Sequence, residues 1–279
     1  MFRVGRTAVS VVIAAHNESE NLPGLLEEVS AALSGRFTFE LIVVDDGSTD
    51  STPQVLSRLR LDHPTLRVIR HADSCGQSQA VITGVDAAQS AVIATLDGDG
   101  QNDPRDLPQM LEFLLTPRFG RHVEMIAGHR TCRRDSWWRL FSSKVANAVR
   151  SRVLADGTPD TGCGIKVFYR RTFLRLPRFN HMHRFLPALV VRGGGEVLSV
   201  PVNHRPRLHG RSHYDTLRRL LNGLIDLAGV AWLIHRGSVP QIEMDSEEQD
   251  ERDVLGLFRR IGPDHLHEPV PRAVAQQRA

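Results

Sequence analysis

The stretch Ala91-Val-Ile-Ala-Thr-Leu-Asp-Gly-Asp-Gly-Gln101 decides the fold. Residues 91 to 96 form an apolar run with almost no polar alternation, the pattern of a strand buried on both faces. The chain then breaks into a turn of aspartates and glycines. The same figure occurs twice upstream: Val9 to Ala15 runs into His16-Asn17-Glu18, and Phe39 to Val44 runs into Asp45-Asp46-Gly47-Ser48-Thr49-Asp50. Three apolar strands ending in polar, acidic turns are the mark of a sheet that carries its chemistry at one edge.

Helical periodicity fills the intervals. After the first strand Ser19 is a cap candidate for a helix with Leu22, Leu25, Leu26, Val29 and Leu33 on one face. Ser51, Thr52 and Pro53 open a second helix with Val55, Leu56 and Leu59. Leu66 to Arg70 reads as a strand, Gln77 to Ala88 as a helix, Pro104 to Leu115 as a helix with proline at its start, and Val123 to Ala127 as a fifth strand. Apolar strands separated by helices predict an α/β fold with a mostly parallel central sheet flanked by helices. In such sheets ligands lie beyond the carboxyl ends of the strands, where the acidic turns fall.

Beyond residue 130 the pattern predicts an amphipathic helix around Trp137 to Val153, a strand from Ile165 to Tyr169, a helix near His183 to Val191 and a strand from Glu196 to Val202. Asp215 to Ile234 reads as a C-terminal amphipathic helix with Arg218, Arg219 and Arg236 near its ends, suited to a membrane surface, a partner or its own domain. The expected organisation is a catalytic domain over 1–214, this helix over 215–238, and an acidic, flexible tail over 239–279. There is no internal repeat.

Composition narrows the partners. Of 35 basic residues only Lys144 and Lys166 are lysines, so the positive charge is almost wholly arginine, whose planar fork suits bidentate phosphate contacts. The net charge of +3 understates this, because seven acids against Arg252 are packed into Glu243 to Asp253. An anionic partner is implied, but no basic stripe is interleaved with aromatics, so nucleic acid is not expected. Cys75, Cys132 and Cys163 form no CxxC pair, which argues against a zinc site or a disulfide framework and for a reducing compartment. No secretory leader is read, and Leu224 to Ile234, broken by Asp226, is too short to cross about 30 Å of hydrocarbon. The expected location is cytoplasmic and peripheral at the inner face of a membrane.

Asp97, Asp99 and the amide of Gln101 place hard oxygen ligands at one strand end, a set for Mg2+ or Mn2+. A cation there would bridge a diphosphate and stabilise charge on a departing nucleotide. Asp45 and Asp46 offer acceptor-only oxygens to a base or ribose, and equally to the cap of the next helix. His16-Asn17-Glu18 likewise serves either a base pocket or a helix start.

Together Val11-Val-Ile-Ala-Ala-His-Asn-Glu18, Val43-Val-Asp-Asp-Gly-Ser-Thr-Asp50 and Asp97-Gly-Asp-Gly-Gln101 resemble glycosyltransferase family 2, in family order, over about residues 8 to 215. The resemblance implies a GT-A-type nucleotide-diphospho-sugar transferase fold. It implies that Ala15, His16, Asn17, Glu18, Asp45, Asp97 and Gly98 hold the donor, with Asp97, Asp99 and Gln101 at the metal. Further on, Gly128-His-Arg130, Asp160-Thr-Gly-Cys-Gly-Ile-Lys166 and Arg207-Leu-His-Gly-Arg-Ser-His-Tyr214 resemble the polyprenol-phosphate branch typified by dolichol-phosphate mannosyltransferase. That implies a GDP- or UDP-linked hexose donor of mannose or glucose type, a polyprenyl phosphate acceptor, inversion, and a membrane or membrane-anchoring partner. Arg130, Arg134 (or Arg133), Lys166 and Arg207 are implied around the phosphates, with Ser212 and His213 against the acceptor. Many relatives have lysine where this chain has His213.

The proton demand of the acceptor points the same way. A sugar hydroxyl needs a general base to take its proton, whereas a phosphate monoester already carries about −1.5 to −2 charge at pH 7. Cations then matter more than a base. Transfer to a saccharide hydroxyl is the alternative, with Asp160 as its candidate base; a catalytically silent nucleotide-sugar binding module is a second. No GxGxxG follows the first strand and neither lysine sits in a Walker loop, which excludes dinucleotide and P-loop readings.

Overall fold

The structure is a computed structural model that describes residues 8–116, 123–130, 153–154, 156–207 and 216–236, with side chains in the last segment from residue 223. Seven strands form one sheet: β1 (Ala8–Ala15), β2 (Thr38–Asp45), β3 (Leu66–Arg70), β4 (Val92–Asp97), β5 (Val123–Arg130), β6 (Lys166–Tyr169) and β7 (Glu196–Val202). Their order is β3-β2-β1-β4-β6-β5-β7. Every pairing is parallel except those of β6, which runs antiparallel to both β4 and β5.

Strand β1 shows why both faces are covered. Val9, Val11, Ile13 and Ala15 enter one core and Val12 the other, all buried. Side chains alternate across a strand, so an apolar run broken only by Ser10 supplies two cores at once. On the first face lie α1 (Leu22–Leu33), through Leu22, Leu25, Leu26, Val29 and Leu33, and α4 (Leu107–Leu115), through Leu107, Met110, Leu111 and Leu114; α2 (Thr52–Asp62) adds Leu56. Each such leucine contributes roughly 1.5–3 kcal/mol on leaving water.

The second face receives α3 (Gln77–Ala87), α5 (Arg170–Leu174), α6 (Leu186–Arg192) and the 21-residue α7 (Thr216–Arg236). Phe168 of β6 stacks on Phe173 of α5 with ring centroids 5.4 Å apart. Helix α7 turns Val230 into this core, with Leu227, Ala231 and Ile234 beside it, while Leu224, Ile225 and Trp232 face outward. No described helix is long and apolar enough to cross a membrane.

Several expectations need correction in detail. Ser19 does not cap α1: the helix begins at Leu22 after Asn21, with no side-chain cap, and the Ser19 N–H donates instead to Asp50 Oδ2 at 3.4 Å. The helix near His183 starts later, at Leu186. Before it, His181 holds a left-handed φ of 66° and opens a single 3-10 turn that contains His183. The helix expected around Trp137 to Val153 and the tail over 239–279 lie outside the described residues, apart from Val153 itself.

Candidate active site

Because β2, β1 and β4 are neighbours, their three turns meet at one sheet edge. Consecutive carbonyls of β1 hold the other two: Ala14 O accepts from Gly98 N at 3.0 Å and Ala15 O from Asp46 N at 2.8 Å. A Cβ on Gly98 would stand 3.0 Å from Ala14 O, so the β4 turn lies hard against β1.

The β1 turn stitches itself to the β2 turn. Asn17, at φ 58°, donates its N–H to Ser48 Oγ (2.9 Å) while its Oδ1 accepts from Thr49 N (2.8 Å) and Asp50 N (3.2 Å). Glu18 N donates to Thr52 Oγ1 at 3.0 Å, and His16 Nδ1 donates to Asp46 O at 2.7 Å. Ala15 is buried. Of Ala15, His16, Asn17 and Glu18, it is the Glu18 carboxylate that reaches the acidic centre, through Arg207. Burial pushes the Glu18 carboxyl above its ordinary range.

Asp45 and Asp46 have opposite surroundings. Asp46 accepts from His71 Nδ1 (2.7 Å), Ser74 Oγ (2.9 Å), Cys75 N (2.9 Å) and Gly76 N (2.8 Å). Burial works to raise its pKa, but these donors outweigh it and hold the carboxyl below the usual range. Asp46, His71 and Cys75 bring ligand-type atoms within 4.8 Å of one another; the Asp46 oxygens are already taken by protein donors. Asp45 is fully buried, its Oδ1 accepting from Ser48 N at 3.0 Å and its Oδ2 making no hydrogen bond, with Arg70 Nε 3.5 Å away.

The β4 turn carries the other pair. Asp97 lines a cavity of about 160 Å3 shared with Gln77, Lys166, His183 and Arg184. Burial first, and Asp99 second, push its carboxyl up to about 6. Gln77 Nε2 donates to its Oδ1 at 2.5 Å. Two oxygen-donor carboxylates that repel each other, one of them starved of donors, fit a hard divalent cation, whose charge would relieve both. Gln101 also anchors a neighbouring segment: its side-chain Nε2 donates to Arg205 O at 3.3 Å and its backbone carbonyl accepts from Arg205 N at 2.9 Å, bonds that leave its side-chain oxygen out. With the Asn102–His204 bridge, it fastens the chain leaving β7 beside the acidic turn.

That fastening delivers Arg207, whose guanidinium lies 3.0 Å from Glu18 and 3.2 Å from Asp99. Arg130, at the end of β5, forms a two-pronged bridge to Asp160, Nε to Oδ2 at 2.6 Å and Nη2 to Oδ1 at 2.8 Å. Burial opposes the Arg130 charge, yet Asp160 keeps its pKa above the ordinary value. Lys166 is buried on β6, its ammonium donating to Cys163 O, and burial lowers its pKa. It faces the cavity behind Asp97, not the open surface. Arg134, Ser212 and His213 lie outside the described residues.

Sequence reasoning missed Gln77, which has no motif of its own, and Arg205, which pairs with Glu28 and Asp103 at 2.6 and 2.7 Å. It also missed that Ser78 Oγ pairs with His183 Nδ1 at 2.7 Å and His181 with Asp226 of α7 at 2.8 Å.

Residues 10–176 match the family model described as glycosyl transferase family 2. The chain belongs to glycosyl transferase family 2. Among curated proteins, this family 2 chain is 32% identical over 83% of its length to a dodecaprenyl-phosphate galacturonate synthase from Rhizobium johnstonii, covering 69% of that protein. It is 33% identical over 78% of its length to an undecaprenyl-phosphate 4-deoxy-4-formamido-L-arabinose transferase from Pseudomonas syringae, covering 64% of it. The chain thus spans about two thirds of these relatives. Among solved structures, a mannosyltransferase from Pyrobaculum calidifontis in complex with GDP-Man and Mn2+ aligns with a TM-score of 0.63 at 20% identity, over 85% of this chain and 67% of that one. Glucosyl-3-phosphoglycerate synthase from Mycobacterium tuberculosis, in complex with Mn2+ and UDP, aligns with a TM-score of 0.60 at 19% identity, over 81% of each chain. These two likenesses establish the GT-A fold, and the family membership makes the chain a glycosyltransferase.

Proposed function

We propose that this glycosyltransferase moves a hexose from a GDP- or UDP-linked donor to a polyprenyl phosphate, with inversion at the anomeric carbon. The observation that carries the acceptor class is the Arg130–Asp160 bridge. Asp160 was the candidate base for a hydroxyl acceptor, and both its oxygens are bound to a guanidinium. A carboxylate so held is a poor proton acceptor, while an already ionised phosphate requires none. The curated relatives, whose named acceptors are dodecaprenyl and undecaprenyl phosphates, support the same class.

In this reading Asp45 Oδ2, buried without a hydrogen-bond partner, takes a base or ribose donor of the nucleotide. Asp97 and Asp99 hold Mg2+ or Mn2+, which when bound stabilises charge on the leaving diphosphate. Arg207, on Glu18 and Asp99, turns toward incoming phosphates and screens the two anionic reactants from each other, while Arg130, its charge matched by Asp160, lines the acceptor side. The acceptor oxygen attacks the anomeric carbon, the bond to the nucleotide diphosphate breaks, and no proton has to leave the acceptor. Residues 1–214 form the catalytic unit, and the outward Leu224, Ile225 and Trp232 of α7 rest on the inner face of a membrane or on an anchoring partner.

The test is incubation of purified protein with a panel of labelled GDP- and UDP-sugars, neutral, acidic and amino, plus polyprenyl phosphate and Mn2+ or Mg2+. A lipid-phosphate-linked sugar, mannose or glucose first among the expectations, is the predicted product. Label appearing only on added saccharide hydroxyls would overturn the acceptor assignment.

A further inference from the structure

We propose that Gln77 is a positioning residue for the transfer reaction, fixing the Asp97 carboxylate toward its cation, and that Asp46 serves it by immobilising the loop from Asp73 to Gly76. This rests on the reading above, in which Asp97 binds the metal. Asp97 is gripped from two sides. The Gln77 amide donates to Oδ1 at 2.5 Å. Gly164 closes the opposite side: a Cβ there would fall 2.1 Å from Oδ2 and 2.4 Å from Cγ, so any larger residue would displace the carboxylate.

The position of Gln77 is inherited. It opens α3 directly after Gly76, at φ 91°, and the preceding loop is tied to Asp46 by Ser74 Oγ and the Cys75 and Gly76 amides. His71, also on Asp46, is held at its far nitrogen by Thr83 of α3 at 3.0 Å. Gly47, at φ 65°, lets the loop backbone come closer than a side chain allows, with Asp73 C and Ser74 N only 2.6 Å from an ideal Cβ. A neutral donor presented on a fixed loop orients a metal ligand without adding charge to the site, the part an outer partner plays for a ligating carboxylate.

The test measures Mn2+ binding to the full chain by titration calorimetry at one fixed pH, with and without UDP or GDP, for wild type, Gln77→Met, Gln77→Asn, Asp46→Asn and Asp97→Ala. Gln77→Met keeps the bulk and loses the donor; the expected result is roughly 10–100-fold weaker Mn2+ binding, with an unchanged melting midpoint and a matching rise in the Mn2+ needed for half-maximal transfer. Gln77→Asn, one methylene short, should weaken binding too, and Asp46→Asn should do so less. Wild-type affinity in Gln77→Met, alongside lost binding in Asp97→Ala, overturns this proposal and leaves the metal assignment standing. Wild-type affinity in Asp97→Ala overturns the metal assignment itself.

Discussion

The turns after β2 and β4 look alike in sequence, each an aspartate pair in a glycine turn at a parallel strand end, and behave oppositely. Asp46 collects four donors from residues 71–76 and is held below the ordinary carboxylate range. Asp97 receives one amide, faces a second carboxylate, and is pushed up to about 6. The difference lies in how many N–H and O–H groups the fold aims at each. A saturated carboxylate is a structural anchor; a sparsely donated one in a crowded acidic pair has the chemistry to suit a cation.

The sharpest way to break this comparison is Asp99→Ala, expected to lower transfer by about 100-fold or more with the fold intact, since it removes a proposed metal ligand at a strand end. Steady-state assays of the purified variant would check it, and undiminished activity would defeat the metal site. Next comes Asp97→Asn. Its carboxyl titrates higher in the folded chain than in the unfolded one, so the folded state binds the extra proton and gains stability as pH falls from about 6 toward 4. Without metal at pH 7 the charged form is a burden, and the asparagine variant should be more stable by on the order of 2 kcal/mol. Denaturant melts at pH 7 and pH 5 would show the gain shrinking at the lower pH.

Asp46→Asn should move the other way. Its depressed pKa gives stability that is present above the unfolded value near 4 and lost as pH falls through the lower folded one. The variant should lose about 1–2 kcal/mol at pH 7, read from the same melts; a gain would erase the distinction between the turns. The smallest effect is expected of Asp45→Asn, roughly a tenfold rise in donor KM with little change in stability. Separately, Arg207→Ala should weaken acceptor use more than donor hydrolysis, and equal losses would count against an acceptor-side role.

Most of the scaffold was legible because it rests on local pattern. The β1 to β5 strands and the first four helices follow apolar periodicity, which the two-sided core requires. The direction of β6 was not: four residues, one of them a buried lysine, carry no signal of whether they pair parallel or antiparallel. Ser19 failed as a cap because the helix starts three residues later, at Leu22 after Asn21, a boundary that the leucine periodicity does not fix. The candidate carboxylates were visible as a set, but their sorting was not, since the donors that separate Asp46 from Asp97 come from residues 71–77. The motifs imply Gln101 at the metal and Lys166 by a phosphate; in the fold Gln101 Nε2 also ties the chain leaving β7, and Lys166 is buried in the wall of the cavity that Asp97 lines, contacts that no local pattern announces.

The two acidic turns hang from adjacent carbonyls of a single strand, Ala14 and Ala15. Their separation is therefore set by two inter-strand steps, about 10 Å, and resists change without breaking the sheet's central pairing. Under the proposed function such a frame would work as a caliper, spanning a ligand from nucleoside to second phosphate.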